Sequence, residues 1–180
     1  MNNENGSSGL LKQFSLLYVE DDPEIREQLA HFLKRRVGNF HVATNGAEGL
    51  ELYRTHKPDL VVSDILMPEM NGLEMAEQIK AIDPNVPIIV TTAFNETDYF
   101  LKAIQIGVDN YVLKPVDSDV LGKALHKSAQ VLYERRELAL KNHLMQQMLK
   151  ELQHYHDAAE RENQMVAQLM DRTVREENLN

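Results

Sequence analysis

Between Leu10 and Leu113, short apolar runs alternate with segments whose apolar residues recur three and four positions apart. Five runs read as strands: Ser15–Val19, Phe40–Ala43, Leu60–Ser63, Ile88–Thr91 and Asn110–Leu113. Most are apolar throughout, as parallel strands covered on both faces must be. Four segments between them read as helices: Glu24–Arg36, Ala47–Thr55, Leu73–Ala81 and Asp98–Ile106. In the first, Ile25, Leu29, Phe32 and Leu33 share one stripe, the face a helix buries against a sheet. Asn45-Gly46, Asn71-Gly72 and Asp83-Pro84 supply turn and start signals between elements. The alternation predicts an α/β domain with a five-stranded, doubly wound parallel sheet. Binding sites in such a sheet lie beyond the carboxyl ends of its strands.

After Pro115 the pattern changes. Asp117 can cap a helix, and from there to Asn178 there is no proline and a single glycine, Gly122. One heptad column reads Val131, Leu138, Met145, Leu152, Ala159, Val166 and Thr173, apolar at all but the last position. The partner column is mixed, running Glu134, Lys141, Met148, Tyr155, Glu162 and Leu169. A seven-residue apolar repeat of this length predicts a coiled coil and hence a homodimer, with Asn142 and Asn163 near the seam to set register. The competing expectation is a helix folded back on the sheet. The chain therefore divides into a polar, disordered leader (residues 1–9), an α/β domain (10–126) and a helical dimerisation and transmitter segment (127–180).

Composition narrows the function classes. The 180 residues suffice for one domain and an appendage, and their formal charge is −9. Both parts are acidic, so neither carries the basic face that direct nucleic-acid binding needs. Cysteine is absent, which excludes disulfides, thiolate metal sites and a cysteine nucleophile. Apolar runs are too short to span a bilayer, and Met1–Gly9 lacks the parts of a secretory signal. A cytoplasmic protein without membrane attachment is expected. Of the histidines, His126, His143, His154 and His156 read as solvated helix-surface residues.

Polar residues gather where the strands end. The first strand runs into Glu20-Asp21-Asp22, the third ends at Ser63-Asp64, the fourth at Thr91-Thr92-Ala93, and the fifth at Leu113-Lys114-Pro115. A parallel sheet brings these ends to one edge, where clustered carboxylates repel unless a cation sits among them. All-oxygen ligands suit Mg²⁺, which binds through a few carboxylates plus a phosphate. Lys114 and Thr92 add a fixed positive charge and a hydroxyl, a clamp suited to stabilising charge in phosphoryl transfer. Asp64 is the expected acceptor. Other α/β chemistries lack their residues: Glu20–Glu24 has no glycine for a phosphate loop, and no Gly-x-Ser-x-Gly elbow occurs. Leu66 stands where a haloacid-dehalogenase phosphatase needs a second Asp.

The stretches YVEDDPEIRE, VVSDILMPEMNG, IIVTTA and GVDNYVLKP together resemble the receiver domain of bacterial two-component response regulators, over about Leu16 to His126. The resemblance implies a flavodoxin-like sheet in the order 2-1-3-4-5. It implies that Asp64 takes phosphate from the phosphohistidine of a sensor histidine kinase. Mg²⁺ would be held by Glu20, Asp21, Asp64 and the backbone carbonyl of Leu66, with Glu20 a common variant of the usual Asp. Thr92 and Lys114 would contact the phosphoryl group, Tyr111 would be the aromatic switch, and the Lys114–Pro115 bond would be cis. Leu66 and Phe94 would flank the path of hydrolytic water; neither can orient a water, so slow self-dephosphorylation is expected. The resemblance makes the chain a phospho-acceptor rather than an enzyme. Gln168-Leu169-Met170-Asp171-Arg172, followed by Asn178-Leu179, resembles the linker before metal-dependent serine/threonine phosphatase domains; a diguanylate cyclase output is the rival. Alternatively the chain is a stand-alone binding and dimerisation module.

Overall fold

The structure, a computed structural model, describes residues 9–93 and 97–177. Phe94 and, apart from Gly9, the expected leader lie outside the described residues. The chain divides after Leu132 into two units.

The first unit holds the strands β1 (Ser15–Val19), β2 (Asn39–Ala43), β3 (Leu60–Asp64), β4 (Ile88–Thr92) and β5 (Asn110–Leu113). Between them run the helices α1 (Pro23–Lys34), α2 (Gly46–His56), α3 (Gly72–Ile82) and α4 (Thr97–Ile106). All strands are parallel in the order β2-β1-β3-β4-β5. The order reverses at β1, so a crevice opens beyond the carboxyl ends of β1 and β3, where such sheets place their sites.

The period-two alternation of the strands divides the core. Leu17, Val19, Val61 and Val90 pack toward α2, α3 and α4, with Leu50, Tyr53, Met75 and Ile79. Leu16, Tyr18, Val62 and Ile89 pack toward α1 and the start of α5 (Ser118–Glu177), with Leu29, Leu33, Leu121 and Leu125. A helical turn through residues 9–11 adds Leu11 and, just beyond it, Phe14 to this second layer.

Helix starts follow their capping residues. The Asp22 side chain accepts from the Glu24 and Ile25 amides, and Pro23 occupies the first helical turn. Asn71 and Glu74 form a reciprocal capping box on α3. Asp117 accepts from the Asp119 and Val120 amides, so α5 begins one residue after its cap. α1 stops at Lys34, short of the expected Arg36. There the Arg36 and Val37 amides turn back onto the Leu33 carbonyl, and the backbone of Gly38 lies against that of Lys12 and Phe14. A side chain at Gly38 would meet the Lys12 carbonyl, which requires the glycine.

In the second unit α5 continues through Glu177. Every described side chain from Tyr133 to Arg175 is exposed. His143, His154 and His156 are among them, but His126 is not a solvated surface residue: it is half-buried and its Nδ1 is enclosed. It lies one residue after Leu125, whose face is sealed against the sheet. Among the described residues no helix is long and apolar enough to cross a membrane.

Candidate functional site at the carboxyl edge of the sheet

Glu20 and Asp21 leave β1 in a loop that is held from both sides. The Glu20 amide donates to the Ala43 carbonyl at 3.2 Å, extending the pairing with β2. From α1, the Arg26 guanidinium donates to the carbonyls of Glu20 and Asp21, each at 2.9 Å. Arg26 thus fixes the loop backbone without neutralising its carboxylates, a role that sequence inspection missed. Its only sequence signal is a basic residue one turn into a helix that follows an acidic cluster.

Asp64 is the last residue of β3, inside the strand rather than after it. Its Oδ1 accepts from the Ile65 amide at 2.8 Å, which sets the carboxylate's orientation. The Asp64 carbonyl accepts from Ser63 Oγ at 2.8 Å. Gly72, opening α3, packs so closely on the Asp64 backbone that a Cβ would collide with that carbonyl. Its amide meets the Ile65 carbonyl at 2.8 Å. Asp64 therefore sits on a backbone held by its own strand and by the following helix.

Lys114 closes the site from just beyond β5, and its bond to Pro115 is cis. Its Nζ lies 2.8 Å from Asp64 Oδ2 and 3.2 Å from Glu20 Oε2. One ammonium bridges two carboxylates that are 6% (Asp64) and 0% (Glu20) exposed. Burial pushes the pKa of both carboxyls up; for Glu20 the Asp64 charge adds to the rise, while Lys114 opposes it at both. Burial of the ammonium lowers the Lys114 pKa, but the hydrogen bond and charge of Asp64, with those of Glu20, outweigh it and the net shift is upward. The charged forms are thus held by one another at a dry edge.

Glu20, Asp21 and Asp64 each offer a carboxylate oxygen, all within 4.8 Å of one another. An all-oxygen, anionic donor set of that span fits a hard divalent cation such as Mg²⁺. Leu66, whose carbonyl was expected in the set, lies two residues after Asp64 and has an exposed side chain.

Thr92 is buried at the end of β4, and its hydroxyl lies 3.4 Å from the Ala93 carbonyl. The register pairs Asp64 with Thr91, which makes Thr91 the β4 side chain on the face of Asp64. Tyr18 is on this face too, one pleat back from Glu20. The hydroxyls of Tyr18 and Thr91 are both buried and find no hydrogen-bond partner among the described residues. Burial, then the charges of Glu20 and Asp64, raise the Tyr18 pKa far above the ordinary phenol value. These two hydroxyls read as ordinary strand residues in the sequence. Tyr111 is half-buried, its ring edge-on to Phe100 at 5.3 Å, so the expected switch sits between β5 and α4.

Residues 16–126 match the response regulator receiver domain family. The chain is 42% identical over 115 residues to the chemotaxis protein CheY of Thermotoga maritima, an alignment covering 62% of this chain and 94% of that one. It is 30% identical over 143 residues to the regulatory protein AtoC of Escherichia coli, covering 79% of this chain and 28% of that one. The chain likewise spans well under two thirds of several other curated relatives it matches. In fold it is similar to the crystal structure of the N-terminal domain of an uncharacterized protein from Wolinella succinogenes. The TM-score is 0.64 at 36% identity, with 67% of this chain and 98% of that one covered.

Proposed function

We propose, since this chain belongs to the response regulator receiver domain family, that Asp64 accepts a phosphoryl group from the phosphohistidine of a sensor kinase. The observation that carries this reading is the Lys114 ammonium held 2.8 Å from the Asp64 carboxylate, with Glu20 beside it. In the transfer, the P–N bond of the donor breaks as a P–O bond to an Asp64 oxygen forms. Charge spreads over the equatorial phosphoryl oxygens, and a fixed ammonium at that distance stabilises it without reorganising. Glu20, Asp21, Asp64 and the Leu66 carbonyl would hold Mg²⁺, which when bound neutralises charge on the transferring group. Thr92 and Lys114 gain contacts in the phosphorylated state alone, a differential interaction able to bias a two-state equilibrium. Tyr111 and α4 lie where that bias is read.

The chain acts in this reading as a phospho-acceptor and relay. The exposed apolar positions Val131, Leu138, Met145, Leu152, Ala159 and Val166 support α5 as a transmitter that pairs with a second copy and couples to an output. Leu66 and Phe94 are apolar at the positions that would flank hydrolytic water, which supports a long-lived acyl phosphate.

Labelling with acetyl phosphate and Mg²⁺, followed by intact-mass measurement, tests the central step. Wild type should gain one phosphoryl group and Asp64→Asn none. Labelling that survives the substitution would sink the assignment.

A further inference from the structure

Across the α1 and α5 face of the first unit runs an open groove of about 1010 Å³, lined by none of Glu20, Asp21, Asp64, Thr92 and Lys114. Four permanent cations line it: Arg35 and Arg36 from α1, and Lys123 and Lys127 from α5. Asp119 is the single carboxylate among its lining residues. In a chain of net charge −9, this is a local inversion of sign. Arg35 and Arg36 have a local explanation, since they follow the carboxyl end of α1 and complement its dipole. Lys123 has one in Asp119, four residues before it on α5, whereas Lys127 has none. Lys123 and Lys127 are like charges four residues apart near the amino end of a long helix, an arrangement that destabilises a helix. Arg36 is also held in place, with its guanidinium 3.6 Å from the Phe32 ring centroid and donating to the Phe32 carbonyl at 3.2 Å.

Gly122 supplies a second observation. It interrupts the first turns of α5, where glycine is unfavourable relative to alanine. Nothing inside the protein requires it: a Cβ there would meet only Phe32 Cζ, at an ordinary contact distance of 3.7 Å. Its surface is part of the groove, whose apolar portion comes mainly from the half-buried Phe32, Leu11 being only 4% exposed. A bare backbone between cations permits close approach from outside.

We propose that this groove docks an acidic amphipathic helix of a partner protein. The apolar stripe of that helix would seat on Phe32 and Gly122, and its carboxylates would meet Arg35, Arg36, Lys123 and Lys127. Two flanking helices with an apolar floor present a helix-in-groove surface, and the sign of the rim selects an anionic occupant. The apolar floor favours a protein helix over a nucleic-acid backbone, which is met by cations and polar groups.

The test uses the full chain, isotopically labelled, and a synthetic helical peptide with a leucine stripe flanked by glutamates. A scrambled isomer of the same composition serves as the control. The expected result is amide shifts confined to residues 28–36 and 118–127, with the isomer binding about tenfold more weakly. Lys123→Glu with Lys127→Glu should weaken binding by at least about tenfold. Gly122→Ala should move two readouts in opposite directions: Tm rises by about 3 °C from helix propensity, while peptide affinity falls. Equal binding of peptide and isomer, shifts elsewhere, or a Gly122→Ala variant of unchanged affinity would overturn the proposal. So would a duplex oligonucleotide that takes the same residues more tightly than the peptide.

Discussion

Lys114 holds two carboxylates that burial would otherwise drive toward their neutral forms. Because the folded pKa values of Glu20 and Asp64 are raised, the native state binds more protons than the unfolded chain between the two sets of values. Their contribution to stability therefore falls as pH rises through that window. The Lys114 contribution runs the same way at higher pH: it is fully present below the ordinary lysine value and lost as pH rises through the raised folded one. Lys114→Met should thus cost roughly 2–4 kcal/mol at neutral pH, by leaving two buried charges uncompensated. The deficit should shrink as pH falls and the carboxyls protonate, and urea melts of both proteins at neutral and at acid pH check this. Gly72→Ala, which forces a Cβ onto the Asp64 carbonyl, should cost about 2–3 kcal/mol in the same assay.

Among the elements, α5 has two characters along its length. Its first turns bury Leu121, Leu125 and Ala129, and from Tyr133 its apolar residues are exposed. The exposed face is broader than a single seam in two places, Leu144-Met145-Met148-Leu149 and Met165-Val166-Leu169-Met170, the same pattern repeated three heptads apart. An apolar helix face of that width is marginal alone in water. Light scattering should give a dimer for the full chain, and Met145→Glu with Leu152→Glu should return it to a monomer. On α3, the capping box predicts a loss of about 1 kcal/mol for Asn71→Ala, read by thermal melting.

For the chain taken together, the proposed cation site at the carboxylate cluster would link cation binding to folding. Mg²⁺ at ten times its Kd should stabilise the wild type by about 1.4 kcal/mol, since it binds the native state alone. Glu20→Gln and Asp64→Asn should abolish that increment, and titration calorimetry alongside thermal melts measures both. The strands, the helix-start signals at Asn71 and Asp117, and the strand-end groups Glu20, Asp21, Asp64 and Lys114 were legible in the sequence. Each of these is a local signal: apolar period, a capping residue before a helix, or a polar residue at the end of an apolar run. Three features were not legible. Thr91 shares the face of Asp64 because of the pleat and register of β3 and β4. The Lys114–Glu20 contact joins residues 94 positions apart. The cationic groove exists because α1 and α5 are neighbours on one face of the sheet, which brings Arg35 and Arg36 beside Lys123 and Lys127. Periodicity and charge order along a chain specify which elements form and what chemistry they carry. Which side chains meet depends on strand order and helix packing, because those interactions act through space between distant segments.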